Sequence, residues 1–138
     1  MVETSGGRVD INMLELLGTH TASASIQKLT IYLPDQDRDG QPVQDLQDYI
    51  GGIVDILLDI NGGATVFYGP QGVWLNPETG EKIHENTVLV YSYIDPKPFV
   101  ENIGLIISFL FRFGRETNQG EVFFEFDNVA YRIKFPKE

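Results

Sequence analysis

The chain has 138 residues, 42% of them hydrophobic and 12% aromatic, which suffices for one domain with one core and excludes a disordered composition. Cysteine is absent, so a disulfide scaffold, thiol catalysis and thiolate metal sites are excluded. Twenty acidic against 10 basic residues leave a net charge of −10, a field that repels phosphate backbones and argues against direct nucleic-acid binding.

The opening MVETS lacks the basic start and apolar run of a secretory signal, and the longest apolar stretch, 103–111, is about half of what a membrane span needs. A cytoplasmic protein with no membrane partner is the expectation. Residues 1–8 are polar and glycine-containing and should be mobile. Residues 9–17, VDINMLELL, alternate at first and then turn helical. They are too apolar to stand free in water and should pack on the body or on a neighbouring subunit. Residues 18–25, GTHTASAS, read as a linker, which separates an N-terminal segment, 1–25, from a single domain, 26–138.

KLTIYL at 28–33 is an alternating strand with Leu29, Ile31 and Leu33 on one face and Thr30 and Tyr32 on the other. After the loop PDQDRDGQP, a helix is expected over about 43–60, with Leu46, Ile50, Ile53, Leu57 and Ile60 as its buried stripe and Asp45, Asp48, Asp55 and Asp59 opposite. Gly51 and Gly52 cost that helix about 2 kcal/mol relative to alanines, a cost tolerated where a neighbouring backbone comes close. Two strand-forming runs, TVFYGPQGVWL and NTVLVYSYI, flank the turn NPETG. Pairing Trp74 with Ile83 across that turn sets Tyr68 opposite Leu89, unless a bulge at 69–72 reverses the faces. Asp95-Pro96 then signals the start of a second helix, running to about 113. Its inward stripe is Phe99, Ile103, Ile106, Leu110 and Phe113, and a second apolar stripe, Val100, Gly104, Ile107 and Phe111, lies beside it. A closing hairpin around Asp127-Asn128 pairs Phe126 with Val129 and Glu121 with Lys134.

The order β-α-β-β-α-β with right-handed crossovers predicts an α+β, ferredoxin-like plait: an antiparallel sheet with two helices on one face and an extra C-terminal edge strand. More locally, Gly62, Gly63, Thr65, Gly72, Trp74, Gly80 and Glu85, a GG-x-T…G-x-W…E hairpin, resemble a family of short, functionally uncharacterised bacterial proteins of this architecture. That resemblance implies the fold and no activity.

Candidate sites are few. Asp35, Asp37 and Asp39, followed by Gly40, have the alternate spacing of a calcium loop, but Leu46 stands where the bidentate glutamate belongs. Calcium is the one cofactor these residues suggest; otherwise none is expected. His84 and Glu85, next to Trp74, are an acid/base pair at a pocket mouth in the catalytic reading. Strand alternation turns Tyr32, Leu89, Tyr91, Tyr93 and Phe123 to the face of the sheet away from the helices, with Tyr68 joining them in the register above. So many aromatics seldom face bare water.

The function expected on these grounds is a non-catalytic binding or regulatory module that self-associates, as a dimer, through the open face of its sheet. One alternative is a cofactor-free small-molecule enzyme of the dimeric α+β barrel kind, with Tyr68, Tyr91, His84 and Glu85 near its cleft. The other is an acidic interaction or inhibitor protein for a basic partner.

Overall fold

The computed structural model describes residues 2–5, 7–18 and 20–137. Met1, Gly6, Thr19 and Glu138 lie outside the described residues, and the expectation of mobility for 1–8 falls in part on them. The chain begins with a small hairpin, β1 (Val2–Ser5) and β2 (Arg8–Ile11), and a short helix, α1 (Met13–Leu17), whose first turn is closed by the Asn12 side chain accepting from the Glu15 amide at 3.0 Å. Then come β3 (Lys28–Pro34), α2 (Leu46–Asn61), β4 (Thr65–Phe67), β5 (Gln71–Leu75), β6 (Lys82–Tyr93), α3 (Pro96–Glu116), β7 (Glu121–Phe126) and β8 (Val129–Lys134).

The main sheet runs β4-β6-β3-β7-β8, with β5 paired to the first half of β6, and every pairing is antiparallel. Helices α2 and α3 pack together over one face. This is the ferredoxin-like plait that the element order predicts, with β8 as the added edge strand. No helix among the described residues is long and apolar enough to cross a membrane.

The core follows from alternation. Leu29, Ile31 and Leu33 face the helices beside Val88 and Val90, and Val122 joins them from β7. Ile50, Ile53, Leu57 and Ile60 meet them from α2, and Phe99, Ile106, Leu110 and Phe113 from α3. One position of the expected α3 stripe differs. Ile103 is 38% exposed, and Phe109 is buried in its place. The reason is that α3 packs on α2 as well as on the sheet, which rotates its buried arc toward Tyr49, whose ring lies edge-on to Phe109 and Phe113.

The closing hairpin has the expected register, Phe126 with Val129 and Glu121 with Lys134, around Asp127 and Asn128 at φ +52° and +65°. Asp95 and Pro96 stand at the N-cap and first helical positions of α3, although the Asp95 side chain makes no capping bond; its amide donates to Asn61 Oδ1 at 2.9 Å.

The glycine pair of α2 has a different explanation from the expected one. No backbone approaches it. The space beside Gly52 is filled by the Phe109 ring, 3.9 Å from where a Cβ would stand, and beside Gly51 there is open space. Gly51→Ala should therefore stabilise the fold by about 0.5–1 kcal/mol through helix propensity and reduced unfolded-chain freedom. Chemical denaturation with an unchanged m-value is the check, and a lowered midpoint counts against it.

Candidate functional site

The expected Trp74–Ile83 pairing is present, but the strand before it is broken. Gly69, at φ +110°, and Pro70 separate β4 from β5, and β4 pairs Val66 with Val90 and Phe67 with Leu89. The faces are thereby shifted by one residue. Phe67 takes the open-face position, and Tyr68 turns toward the helix side, where its hydroxyl donates to Gln47 Oε1 at 3.3 Å. Tyr68 is thus corrected out of the open face.

The cross-strand partners place Tyr32, Leu89, Tyr91, Tyr93 and Phe123 on the face away from the helices, as alternation predicts. They do not form one cluster. Tyr91 and Tyr93 lie at one end of the sheet with the Lys28 ammonium 5.1 and 5.9 Å from their ring centres. Tyr32 and Phe123 lie toward the other end, edge to face at 4.7 Å, with Trp74 6.4 Å from Phe123 and the Arg132 guanidinium 5.3 Å over it.

That second end opens into a cleft of about 810 Å³, within the ~300–1,000 Å³ range of small-molecule sites. Its aromatic lining is Tyr32, Trp74 and Phe123. Its polar lining is Glu85 and Thr87 from β6, Glu121 from the start of β7, Gln119 just before it, and Asp37, Arg38 and Asp39 from the loop after β3. The β5–β6 hairpin curls over this end, and Gly72 permits the fold of the Trp74 ring. A Cβ there would stand 2.9 Å from Trp74 Nε1 and 3.2 Å from Thr87 Oγ1. The loop 35–42 closes the remaining side. Arg38 Nη2 donates to the Gln119 and Phe135 carbonyls at 2.5 and 2.6 Å, and Gln119 Nε2 donates back to the Gln36 carbonyl at 3.1 Å.

Glu85 is the chemically distinctive group. Burial, followed by the nearby charge of Asp35, pushes its carboxyl up to about 7. Two residues along the same face, Thr87 is buried and its hydroxyl has no hydrogen-bond partner. An unpaired buried hydroxyl costs free energy unless something else engages it. Tyr32 is not free in this sense: its hydroxyl donates to Glu125, and burial with that bond and its charge pushes the phenol up to about 12.

His84 and Glu85 do not act together. Neighbours in a strand point to opposite faces, so Glu85 lines the cleft while His84 pairs across from Val73 on the far side and is exposed. Tyr91 also lies outside the lining. The three aspartates of the loop diverge. Asp35 Oδ1 accepts from the Asn86 amide at 3.1 Å, whereas Asp37 Oδ1 accepts from the Asp39 and Gln41 amides at 2.8 and 2.9 Å. Asn118 Nδ2 bridges Asp37 Oδ2 and Asp39 Oδ2. The Asp37 bonds to the Asp39 and Gln41 amides close the turn, the others tie the loop to Asn86 and Asn118, and among the described residues no group of three acidic or imidazole side chains gathers for a metal ion. Burial pushes the Asp37 carboxyl up, but its amide bonds, Asn118 and Arg38 outweigh it and hold the group below its usual value.

Sequence reasoning missed Thr87, Arg38 and Gln119. The signal for Thr87 was present: continuing the alternation of Tyr93, Tyr91 and Leu89 back along β6 reaches Thr87 and Glu85 on the same face. Arg38 and Gln119 meet through a loop contact 81 residues apart, for which no periodicity exists.

The fold and this cleft define an α+β plait with a ligand-sized pocket on its open face. Neither a family model nor a curated protein sequence matches the chain. Among solved structures, a phage SAM lyase in complex with S-methyl-5′-thioadenosine shares its fold, with a TM-score of 0.57 at 15% identity over 82% of this chain and 92% of that one. A phage SAM lyase in the apo state gives a TM-score of 0.54 at 16% identity over 81% and 91%. At such identities the likeness is one of fold. It nevertheless corrects the expectation of a non-catalytic module, because both of these structures are of a phage SAM lyase, an enzyme, one of them in complex with a small molecule.

Proposed function

We propose that the chain is a cofactor-free enzyme that cleaves a carbon–sulfur bond of a sulfonium nucleoside of the S-adenosylmethionine type in the cleft between Trp74, Phe123, Glu85 and Thr87. The observation that carries this reading is the half-buried Glu85 carboxyl, pushed up to about 7, in a cleft that Tyr32, Trp74 and Phe123 also line. Such a substrate has two handles, a flat base and a fixed positive charge. Aromatic rings stack the first and attract the second through their faces, and a desolvated carboxylate pairs with the cation more strongly than in water. The net charge of −10 attracts the same substrate over longer range.

A lyase on this substrate needs no redox group. The electron pair of the breaking C–S bond stays on sulfur, which leaves as a neutral thioether. The four-carbon fragment is balanced in one of two ways, by loss of a proton to Glu85 or by ring closure through its own carboxylate, and identification of the four-carbon product separates them. The test is to incubate the protein with S-adenosylmethionine and follow S-methyl-5′-thioadenosine by chromatography. Release of the thioether, saturable and inhibited by added S-methyl-5′-thioadenosine, is the expected outcome. No release, together with no calorimetric binding of S-methyl-5′-thioadenosine, overturns the reading.

A further inference from the structure

Two apolar surfaces of the chain are bare at once. The N-terminal arm presents Val9, Ile11, Met13, Leu16 and Leu17, between 41% and 59% exposed, and α1 buries no residue. On α3, Val100, Ile103, Ile107 and Phe111 form a continuous outward stripe beside the buried arc, and Val100 is 70% exposed. Gly104 sits in the middle of that stripe, with nothing of its own chain within 4 Å of where a Cβ would stand. The missing side chain leaves room there for another segment to come close to the helix. A soluble surface seldom leaves a contiguous apolar stripe of this kind uncovered.

The charges agree with the shapes. On the arm, Arg8 and Asp10 pair at 3.5 Å, whereas Glu15 has no basic partner among the described residues. Beside the stripe, Arg112 pairs with Glu116 at 3.9 Å, whereas Arg115 lies over the Phe111 ring at 5.9 Å with no acidic partner among the described residues. The linker, 18–27, extends to roughly 33 Å, so its length does not keep the arm from a helix. A lone chain nonetheless leaves both surfaces bare.

We infer that the arm docks on the α3 stripe of a second copy of this chain, and that a two-fold exchange of arms makes the protein a dimer. Each protomer gives one arm and receives one, so every joint occurs twice. The face of the sheet that carries the cleft stays open, so this contact stands apart from the proposed catalysis and does not depend on it.

The test is sedimentation velocity on the full chain and on two variants, Leu17→Lys in the arm and Ile107→Glu in the stripe. Circular dichroism verifies the fold of each, and Val100→Glu serves as a second stripe variant if Ile107→Glu does not fold. The wild type should sediment as a dimer and each variant alone as a monomer, with at least a 10-fold weaker self-association. An equimolar mixture of the two should recover a dimer, because one joint is then intact and the other brings opposite charges together. A wild type at 15.5 kDa at high concentration overturns the inference, as it indicates an arm folded on its own helix or free. Variants that stay dimeric, or a mixture that stays monomeric, overturn it equally.

Discussion

Glu85→Gln should lower kcat/KM for S-adenosylmethionine by ~10²–10⁴-fold while leaving the fold intact. The substitution keeps the shape of the side chain and removes its charge, so what is lost is the pairing with the sulfonium and the capacity to take a proton. The wild-type pH profile carries the same information. With the carboxyl pushed up to about 7, kcat/KM should rise through neutral pH as Glu85 ionises, and the rise should vanish in the variant. A bound cation favours the ionised form, so kcat should show its rise at lower pH than kcat/KM.

Stability should move the opposite way. The folded carboxyl holds its proton where the unfolded one has lost it, so the native state binds more protons between the ordinary glutamate value of 4.5 and about 7. Stability therefore falls as pH rises through that window and levels off above it. Glu85→Gln abolishes the slope, and the variant should melt higher than the wild type at pH 8 and about equally at pH 4.5. A variant that is both less active and less stable at pH 8 would assign Glu85 a structural part instead.

The fold was legible in the sequence because its elements are set by local signals. Leu29, Ile31 and Leu33 alternate, the α2 apolar residues step by three and four, and Asp127-Asn128 accepts the positive φ of a tight hairpin. The cleft was legible only in part. Alternation along β3 and β7 turned Tyr32 and Phe123 outward, and the same rule along β6 carries Glu85 with them. The break at Gly69-Pro70 undid the assignment of Tyr68, because one extra residue in a strand reverses every side chain beyond it and nothing in composition counts the residues of a bulge. The loop aspartates carry two readings. Their spacing suits a cation, but carboxylates at alternate positions also suit backbone amides, and here Asp37 closes the turn through Asp39 and Gln41. What Arg38 does depends on a carbonyl of Gln119 and one of Phe135 arriving from the far end of the chain. Long-range meetings of that kind are products of the fold and leave no trace in neighbouring residues.

Phe113→Ala should cost about 3–5 kcal/mol, a large share of the ~5–15 kcal/mol that holds a domain of this size together. Phe113 is fully buried in α3. Its ring stacks on Phe109 at 6.2 Å and meets the edge of Tyr49 at 5.2 Å, so it fills the junction where α3, α2 and the sheet come together. Removing it leaves a cavity bounded by Phe109 and by the aliphatic side chains of two helices, none of which can relax inward without leaving its own contacts. A loss of that size corresponds to a fall in Tm of roughly 10–20 °C, readable by calorimetry. The sheet lies between this cavity and the cleft, since Phe113 packs on the helix face while Glu85, Thr87 and Trp74 act on the other. Well below the lowered Tm, KM for S-adenosylmethionine should therefore stay within about twofold of wild type, because sites with no shared contacts are near-independent. A Tm within 3 °C of wild type would show that the junction repacks without Phe113, and a KM changed tenfold at a temperature where the variant is folded would show that the helix layer shapes the cleft directly.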